Sequence, residues 1–375
     1  MSRLILMGSG ETSPSMIPVH RAGIEAVGAG RVLLLETPFG FQENADQLVD
    51  RISQFFDRSL SLPVDVSGLR SRRVDEVAVA KVVAAVRSAR YVFSGPGSPT
   101  YALDIWTGIG MREALASVIS GGGAVALASA AALTAGSHTI PVYEIYKVGQ
   151  EPFLRPGLDV TGALGLPVMV VPHWNNAEGG NHDTSRCFIG RRRLEKVAGG
   201  LGLLGIDEHT AAILDFARGT LEVSGLGTVT LKGHAEQVLE KGTTIGFERL
   251  AEVIGVPVSP GSLTPPLDRE VKTALDAGQV DDLLQALLAL EASAAVDPAR
   301  RQDLRSGLVH LAIAAERGNV DPRELVGDYV ALLLELRASA RAHRRFDDAD
   351  MIRQGLEALG VEVRDTSAGV EWDLT

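Results

Sequence analysis

A chain of 375 residues, 45% of them hydrophobic, can bury two ordinary cores, so two domains are the starting expectation. A net charge of −11 disfavours broad adhesion to nucleic acid or anionic membrane, because both need a basic surface. The single cysteine, Cys187, excludes an intramolecular disulfide and a cysteine-based zinc site, and no apolar run approaches the roughly 18 residues of a membrane span. Residues Met1 to Gly10 are too short in their apolar part for a secretory signal, so a cytoplasmic protein is expected.

In chain order, the apolar run Arg3 to Met7 ends in Gly8-Ser9-Gly10-Glu11, and a helical stretch from Pro14 to Val27 leads to a second run, Arg31 to Thr37. That is the β-α-β unit of a parallel sheet covered on both faces. The pattern repeats, with a helix at Glu43 to Phe56, a strand at Pro63 to Val66, a helix at Val74 to Ser88 and a strand at Tyr91 to Ser94. The fold class is therefore α/β, a doubly wound and mostly parallel sheet whose ligands collect at the carboxyl ends of the strands. Gly8-Ser9-Gly10-Glu11 lacks the third glycine and the later acidic residue of a dinucleotide site, so no cofactor is expected.

Gly95-Pro96-Gly97-Ser98 directly follows a strand and opens a helix through Trp106. Two glycines there permit close backbone approach to a ligand, although a plain chain-reversing turn has the same composition. The strand Ala124 to Leu127 then runs into Ala128-Ser129-Ala130-Ala131 and a small-residue helix. A serine at a strand-to-helix turn is where a hydrolase sheet presents a nucleophile, with helix N–H groups facing any developing negative charge. The alternative is a serine that merely caps a buried helix. Farther on come His138, Glu144, and a strand at Pro167 to Val171 that ends in Pro172-His173-Trp174-Asn175-Asn176.

Ser129, Glu144 and His173 thus occur in the order nucleophile, acid, base, with Glu144 expected to orient His173. The amides of Gly97 and Ala130 are the expected oxyanion hole, and Gly10, Glu11, Ser98, Asn175 and Glu208 the candidate substrate contacts. His173, His182 and Asp183 could instead ligate a metal, but their spacing matches no metal motif and none is expected. Leu201 to Leu214 reads as a strand, a polar corner at Asp207-Glu208-His209 and a returning strand. Leu221 to Ser224 and Thr228 to Leu231 follow as short strands that form an antiparallel edge to the parallel sheet.

Taken together, Gly8-Ser9-Gly10-Glu11, Phe93-Ser94-Gly95-Pro96-Gly97, the Ser129 turn, Pro172-His173, Arg193-Leu194 and Gly205 to Ala211 resemble the peptidase S51 family over roughly residues 1–235. Those are dipeptidase E and cyanophycinase-like serine exopeptidases on a class I glutamine amidotransferase-like fold. The resemblance implies a Ser–His–Asp/Glu set and hydrolysis of an aspartyl-type peptide bond. Leu127 and Ala131 stand where the family's nucleophile turn carries glycines. Val171-Pro172-His173 replaces the Asp-Gln-His of cyanophycinases, so cyanophycin is not the implied substrate.

Beyond the proline-rich stretch 255–267 the character changes to helix, at Ala274 to Leu290, Leu304 to Glu316 and Arg323 to Ala342, the last preceded by the start signal Asp321-Pro322. The expected division is 1–254 for the α/β domain, 255–267 for the linker and 268–375 for a helical domain. Arg337, Arg341, Arg345 to Arg353, Leu356, Leu359 to Val363, Asp365-Thr366 and Gly369 to Trp372 resemble the C-terminal segment of cysteinyl-tRNA synthetases, a region that contacts tRNA in that family. No amino-acid-activating signature accompanies it. Phe346, Ile352, Leu356, Leu359, Val361 and Val363 are expected to pack as a helix–turn–strand with Trp372 folding back. Residues 268–375 carry 21 acidic against 13 basic side chains, so RNA contact would fall to a face of Arg337, Arg341, Arg344 and Arg345, which otherwise reads as a solvated helix face.

Two functions follow as expectations. One is a serine-type hydrolase acting on a small peptide or amide. The other is a catalytically degenerate binding protein whose tail recognises tRNA-like RNA or a protein partner. The sequence does not dictate an oligomeric state, and a homodimer is one assembly compatible with it.

Overall fold

The computed structural model describes residues 2–256, 267–296, 300–318, 322–366 and 369–374. Asp321 and most of the proline-rich stretch lie outside them. The chain forms two compact units, Met1–His310 and Leu311–Thr375, so helices expected to belong to the C-terminal domain cluster with the α/β layers.

In the first unit the apolar runs become strands wherever helices cover both faces. β1 (Arg3–Met7), α1 (Ile17–Val27), β2 (Val32–Leu34), α2 (Ala45–Leu60), β3 (Val64–Val66), α3 (Glu76–Ser88) and β4 (Tyr91–Ser94) follow in turn. Next come α4 (Pro99–Trp106), α5 (Met111–Ser120), β5 (Ala124–Ala128) and α6 (Ala130–Ala135). Every residue of β2, β4 and β5 is buried, as is β1 beyond Arg3, which is why these segments read as unbroken apolar runs rather than alternating ones. Helix starts follow capping chemistry, with the Asp75 carboxylate accepting from Ala78 N–H and the Ser98 hydroxyl from Tyr101 N–H.

Shorter elements complete the unit: β6 (His138–Thr139), α7 (Val142–Tyr146), β7 (Arg155–Pro156), α8 (Val160–Ala163), β8 (Met169–Val171), α9 (Arg191–Val197), β9 (Leu203–Ile206) and β10 (Thr210–Asp215). After them come β11 (Thr220–Gly225), β12 (Val229–Lys232), β13 (Glu236–Leu239), β14 (Thr244–Gly246) and α10 (Phe247–Ile254). The main sheet runs β14-β11-β10-β1-β5-β4-β2-β3, parallel from β1 through β3 and antiparallel across β10, β11 and β14. A second sheet runs β13-β12-β9-β8, with β8 and β9 parallel. The stretch Leu201 to Leu214 is therefore not a strand and its return. β9 belongs to the small sheet and β10 to the large one, and Asp207 to His209 bridge them.

The expected helix Ala274 to Leu290 divides at Ala277-Gly278 into α11 (Asp268–Asp276) and α12 (Val280–Val296), which precede α13 (Arg301–Gly318). Arg87 of α3, almost fully buried, donates to Asp268 of α11 and Asp303 of α13. Buried ions persist only when paired, so this cluster fixes the helices to the α/β core.

In the second unit α14 (Pro322–Ala342) and α15 (Phe346–Ala358) pack against a hairpin of β15 (Val361–Thr366) and β16 (Gly369–Leu374), paired Val363 to Trp372. Val330, Leu356, Val361 and Val363 form its core, with Ile352 and Trp372 beside them. Phe346 and Leu359 were expected there, but they are 58% and 78% exposed because they sit at the two ends of α15 rather than on its inner face.

Candidate active site

Ser129 sits one residue past β5 with φ 50° and ψ −116°, a backbone conformation costly for any side chain other than glycine's and held only because its surroundings dictate it. Its N–H donates to Met7 O, and α6 begins at the next residue, so the turn is fixed to β1 on one side and to the helix on the other. The bulky neighbour Leu127 causes no conflict, since it lies within β5 and packs into the core, and Ala131 donates its N–H to Gly95 O. The hydroxyl is not a helix cap, since it accepts no bond from the first turn of α6.

The Gly95 to Ser98 loop is joined to the start of α6 by that bond from Ala131 to Gly95, and each side of the junction carries one of the amides expected as oxyanion donors. Neither Gly97 N–H nor Ala130 N–H has an acceptor among the described residues. Gly97 has φ +140°, and a β-carbon on it would lie 2.0 Å from Pro38 O, so only glycine allows the backbone of Gly95 to Ser98 to approach so closely. Unsatisfied amide donors are what a developing oxyanion requires.

The imidazole arrives from the small sheet. β8 pairs with β9 so that Val171 stands opposite Gly205, and the residues two and three beyond that pair, His173 and Glu208, leave the sheets side by side. His173 Nε2 lies 2.9 Å from Ser129 Oγ, and His173 Nδ1 lies 2.8 Å from Glu208 Oε1. Glu208 is held in turn: its Oε1 accepts from Asn176 Nδ2 at 2.9 Å, and its N–H donates to Asn175 Oδ1 at 2.8 Å. Burial pushes the Glu208 carboxyl up, but the hydrogen bonds from Asn176 and His173, together with the nearby imidazoles, outweigh it and leave the group below its ordinary value. His173 itself has φ 49°, its carbonyl accepts from Asn176 and Cys187 N–H, and the Phe188 ring packs 5.2 Å from the imidazole.

The structure therefore corrects the expected acid. Glu144 is not hydrogen bonded to His173; it lies on α7, where its Oε2 is buried without a hydrogen-bond partner. Glu208, expected as a substrate contact, occupies the position beside the imidazole. Asn175 and Ser98 likewise have structural bonds in place of an open one: Asn175 holds the Glu208 amide, and the Ser98 hydroxyl caps α4 and meets Thr100. Gly10 lies under the His209 ring. Glu11 is anchored by its carbonyl, which accepts from His20 Nε2, and its carboxyl faces Gly95 with a pKa raised by burial. His173, His182 and Asp183 do not converge, and among the described residues no group of three or more His, Cys, Asp or Glu is arranged for a metal. Cys187 is buried and its thiol is pushed well above its ordinary value, first by burial and then by the Glu208 charge, which leaves it unsuited to nucleophilic work.

The arginine face of the second unit is largely occupied. Arg337 is 4% exposed and forks onto Asp365 at 2.8 and 2.7 Å, Arg341 joins the same carboxylate at 3.0 Å, and Arg345 pairs with Asp348 at 2.9 Å. Arg337 is thus no solvated residue; it ties α14 to β15. Arg344 is exposed and has no ion-pair partner among the described residues.

Comparison with known proteins agrees with this architecture. No protein-family profile matches the chain. A crystal structure of a peptidase from an acI-B1 actinobacterium superposes with a TM-score of 0.54 at 23% identity, covering 66% of this chain and 97% of that one. A peptidase E candidate from Listeria monocytogenes EGD-e matches with a TM-score of 0.44 at 15% identity, over 60% of this chain and 100% of that one. The α/β unit shares the fold of the actinobacterial peptidase. A separate short segment is similar to cysteine–tRNA ligases, at 43% identity over 65 residues in Bacteroides fragilis and 38% over 101 residues in Salinibacter ruber. The chain spans only 13% and 17% of the length of those ligases and 17% and 27% of its own. Among the described residues no helix is long and apolar enough to cross a membrane.

Proposed function

We propose that the protein is a serine-type hydrolase that cleaves a small peptide or amide through Ser129, His173 and Glu208. The observation that carries this reading is the continuous hydrogen-bonded line from Ser129 Oγ through the imidazole to the Glu208 carboxylate, beginning at a backbone strained enough to need a reason. His173 Nε2 takes the hydroxyl proton as Oγ attacks the carbonyl carbon. Its Nδ1–H stays on Glu208, which favours the imidazolium that forms. The Gly97 and Ala130 amides receive the oxyanion, His173 then protonates the leaving amine, and a water repeats the sequence to release the acyl group. The peptidase-like fold supports a hydrolase; the aspartyl-type exopeptidase specificity implied by the S51 resemblance is the finer part of the proposal.

A fluorophosphonate directed at active serines is expected to label the folded chain at Ser129, and Ser129→Ala to remove the label. A folded chain that takes no label would overturn the reading. We read the C-terminal unit as a recognition module whose tRNA contact would centre on Arg344; a salt-sensitive mobility shift of tRNA, weakened by Arg344→Ala, is the expected result.

A further inference from the structure

A cavity lies on the face of the small sheet, lined by neither Ser129, His173 nor Glu208. Its wall is a layered construction. A β-carbon on Gly205 would fall 2.3 Å from the Trp174 ring, so the sheet is stripped of side chain where the indole lies flat on β9. On the indole rests the Arg186 guanidinium, 3.8 Å from the ring centroid, with one N–H donated to Trp174 O. Stacking of this kind holds the planar group in one orientation, and its other donors find no acceptor among the described residues.

Arg191 lines the same cavity and repels the Arg186 guanidinium, the charges of Asp183, Glu236 and Asp207 act in the opposite sense, and neither arginine forms a direct ion pair among the described residues. With no carboxylate in direct contact, both guanidinium groups are free to stabilise an anion placed between them. The third cation at the rim, Lys232, is already engaged by Glu195 and Glu236. The floor is apolar: Leu194, Ala198, Leu203 and Ile254. The cavity measures about 190 Å³, against the roughly 150 Å³ known to hold benzene in an apolar interior.

We propose that this cavity binds a small carboxylate carrying a single-ring or branched apolar body, its carboxylate bridged by Arg186 and Arg191 and its body on Leu194, Ala198 and Leu203. The proposal stands apart from the chemistry at Ser129 and holds whether or not the chain is a hydrolase. The cavity adjoins that site through the chain, since the next two residues after Arg186 hold the His173 carbonyl and ring.

The test is calorimetric titration of the full chain with three probes. Benzoate is expected to bind saturably. Benzamide, the same shape without the charge, is expected to bind about tenfold more weakly or worse, because a charge-assisted pair to arginine is replaced by neutral hydrogen bonds. Inorganic phosphate, charge without an apolar body, is also expected to bind more weakly than benzoate. Arg191→Ala removes an exposed side chain that the fold does not need and should weaken benzoate about tenfold. Ala198→Phe should fill the floor and abolish binding while thermal unfolding confirms an intact protein. Absence of saturation by benzoate, equal affinity for benzamide, tighter binding of phosphate, or an Arg191→Ala variant that binds like the parent would each overturn the proposal.

Discussion

The Ser129 turn and the Arg337 cluster both place a cationic or ionisable nitrogen against a carboxylate, yet they serve opposite ends. At Arg337 the pair is doubly bonded, planar and set on relaxed helix and strand, and the guanidinium holds the Asp365 carboxyl well below the usual carboxylate range. Nothing there is strained, and both terminal nitrogens of the guanidinium are engaged, with the buried Nε left without a partner among the described residues. At His173 the carboxylate has a single imidazole bond. The imidazole's other nitrogen meets a hydroxyl on a strained backbone, and the Gly97 and Ala130 amides have no acceptor among the described residues. The difference teaches that a pair which only holds a fold sits on relaxed backbone and turns its fork onto one carboxylate, whereas one fit for chemistry is built on strained backbone with a nucleophile at its end.

The sharpest way to break that comparison is to exchange carboxylates. Glu208→Gln should lower turnover, or the rate of phosphonate labelling, by about 10⁴-fold because the imidazole loses its orienting charge. Glu144→Gln should change either by less than about twofold, since a residue that makes no hydrogen bond to the imidazole contributes nothing to its tautomer. Equal losses in the two variants would restore Glu144 to the line. Gly97→Ala comes next. A β-carbon set against Pro38 O must push the loop away, and loss of one oxyanion donor is expected to cost about 10² to 10³ in kcat.

Asn176→Ala should act more gently and through pH. The Glu208 carboxyl is depressed in the folded chain, so its favourable contribution is complete above the ordinary glutamate value and disappears as pH falls through the lower folded one. Removing the Asn176 bond raises that folded value, so the acid limb of the labelling rate against pH should move toward neutrality, with the plateau reduced only a few-fold. A limb that stays in place would mean that the His173 contacts alone set the ionisation. Least of all should Arg337→Ala affect the chemistry. It is expected to lower the stability of the C-terminal unit by about 1–2 kcal/mol in denaturant unfolding, the half-exposed Asp365 recovering part of its hydration, with labelling at Ser129 unchanged.

Much of this was legible in the order of residues. Fully buried strands and capped helices impose a repeat that survives without coordinates, so the doubly wound layers, the Ser129 turn and the strand-end position of His173 could all be read in advance. Glu208 was read as a member of the site but in the wrong role. Glu144 follows Ser129 in the expected order, and nothing in linear spacing says that α7 leaves its carboxyl unbonded to the imidazole. The helical tail was similarly half-read: its last two long helices stand where periodicity put them, the first divides at Ala277-Gly278, and an aspartate twenty-eight residues away turns Arg337 inward while Arg341, Arg344 and Arg345 stay exposed.

Sequence by itself determined what each segment becomes, because propensity, capping and the period of apolar residues act within a few positions. Which side chains meet was decided only when two sheets closed on one another. The register of Val171 against Gly205 and the crossing of the chain from β9 to β10 bring together residues separated by 35 positions, and that juxtaposition arises from the packing of whole layers.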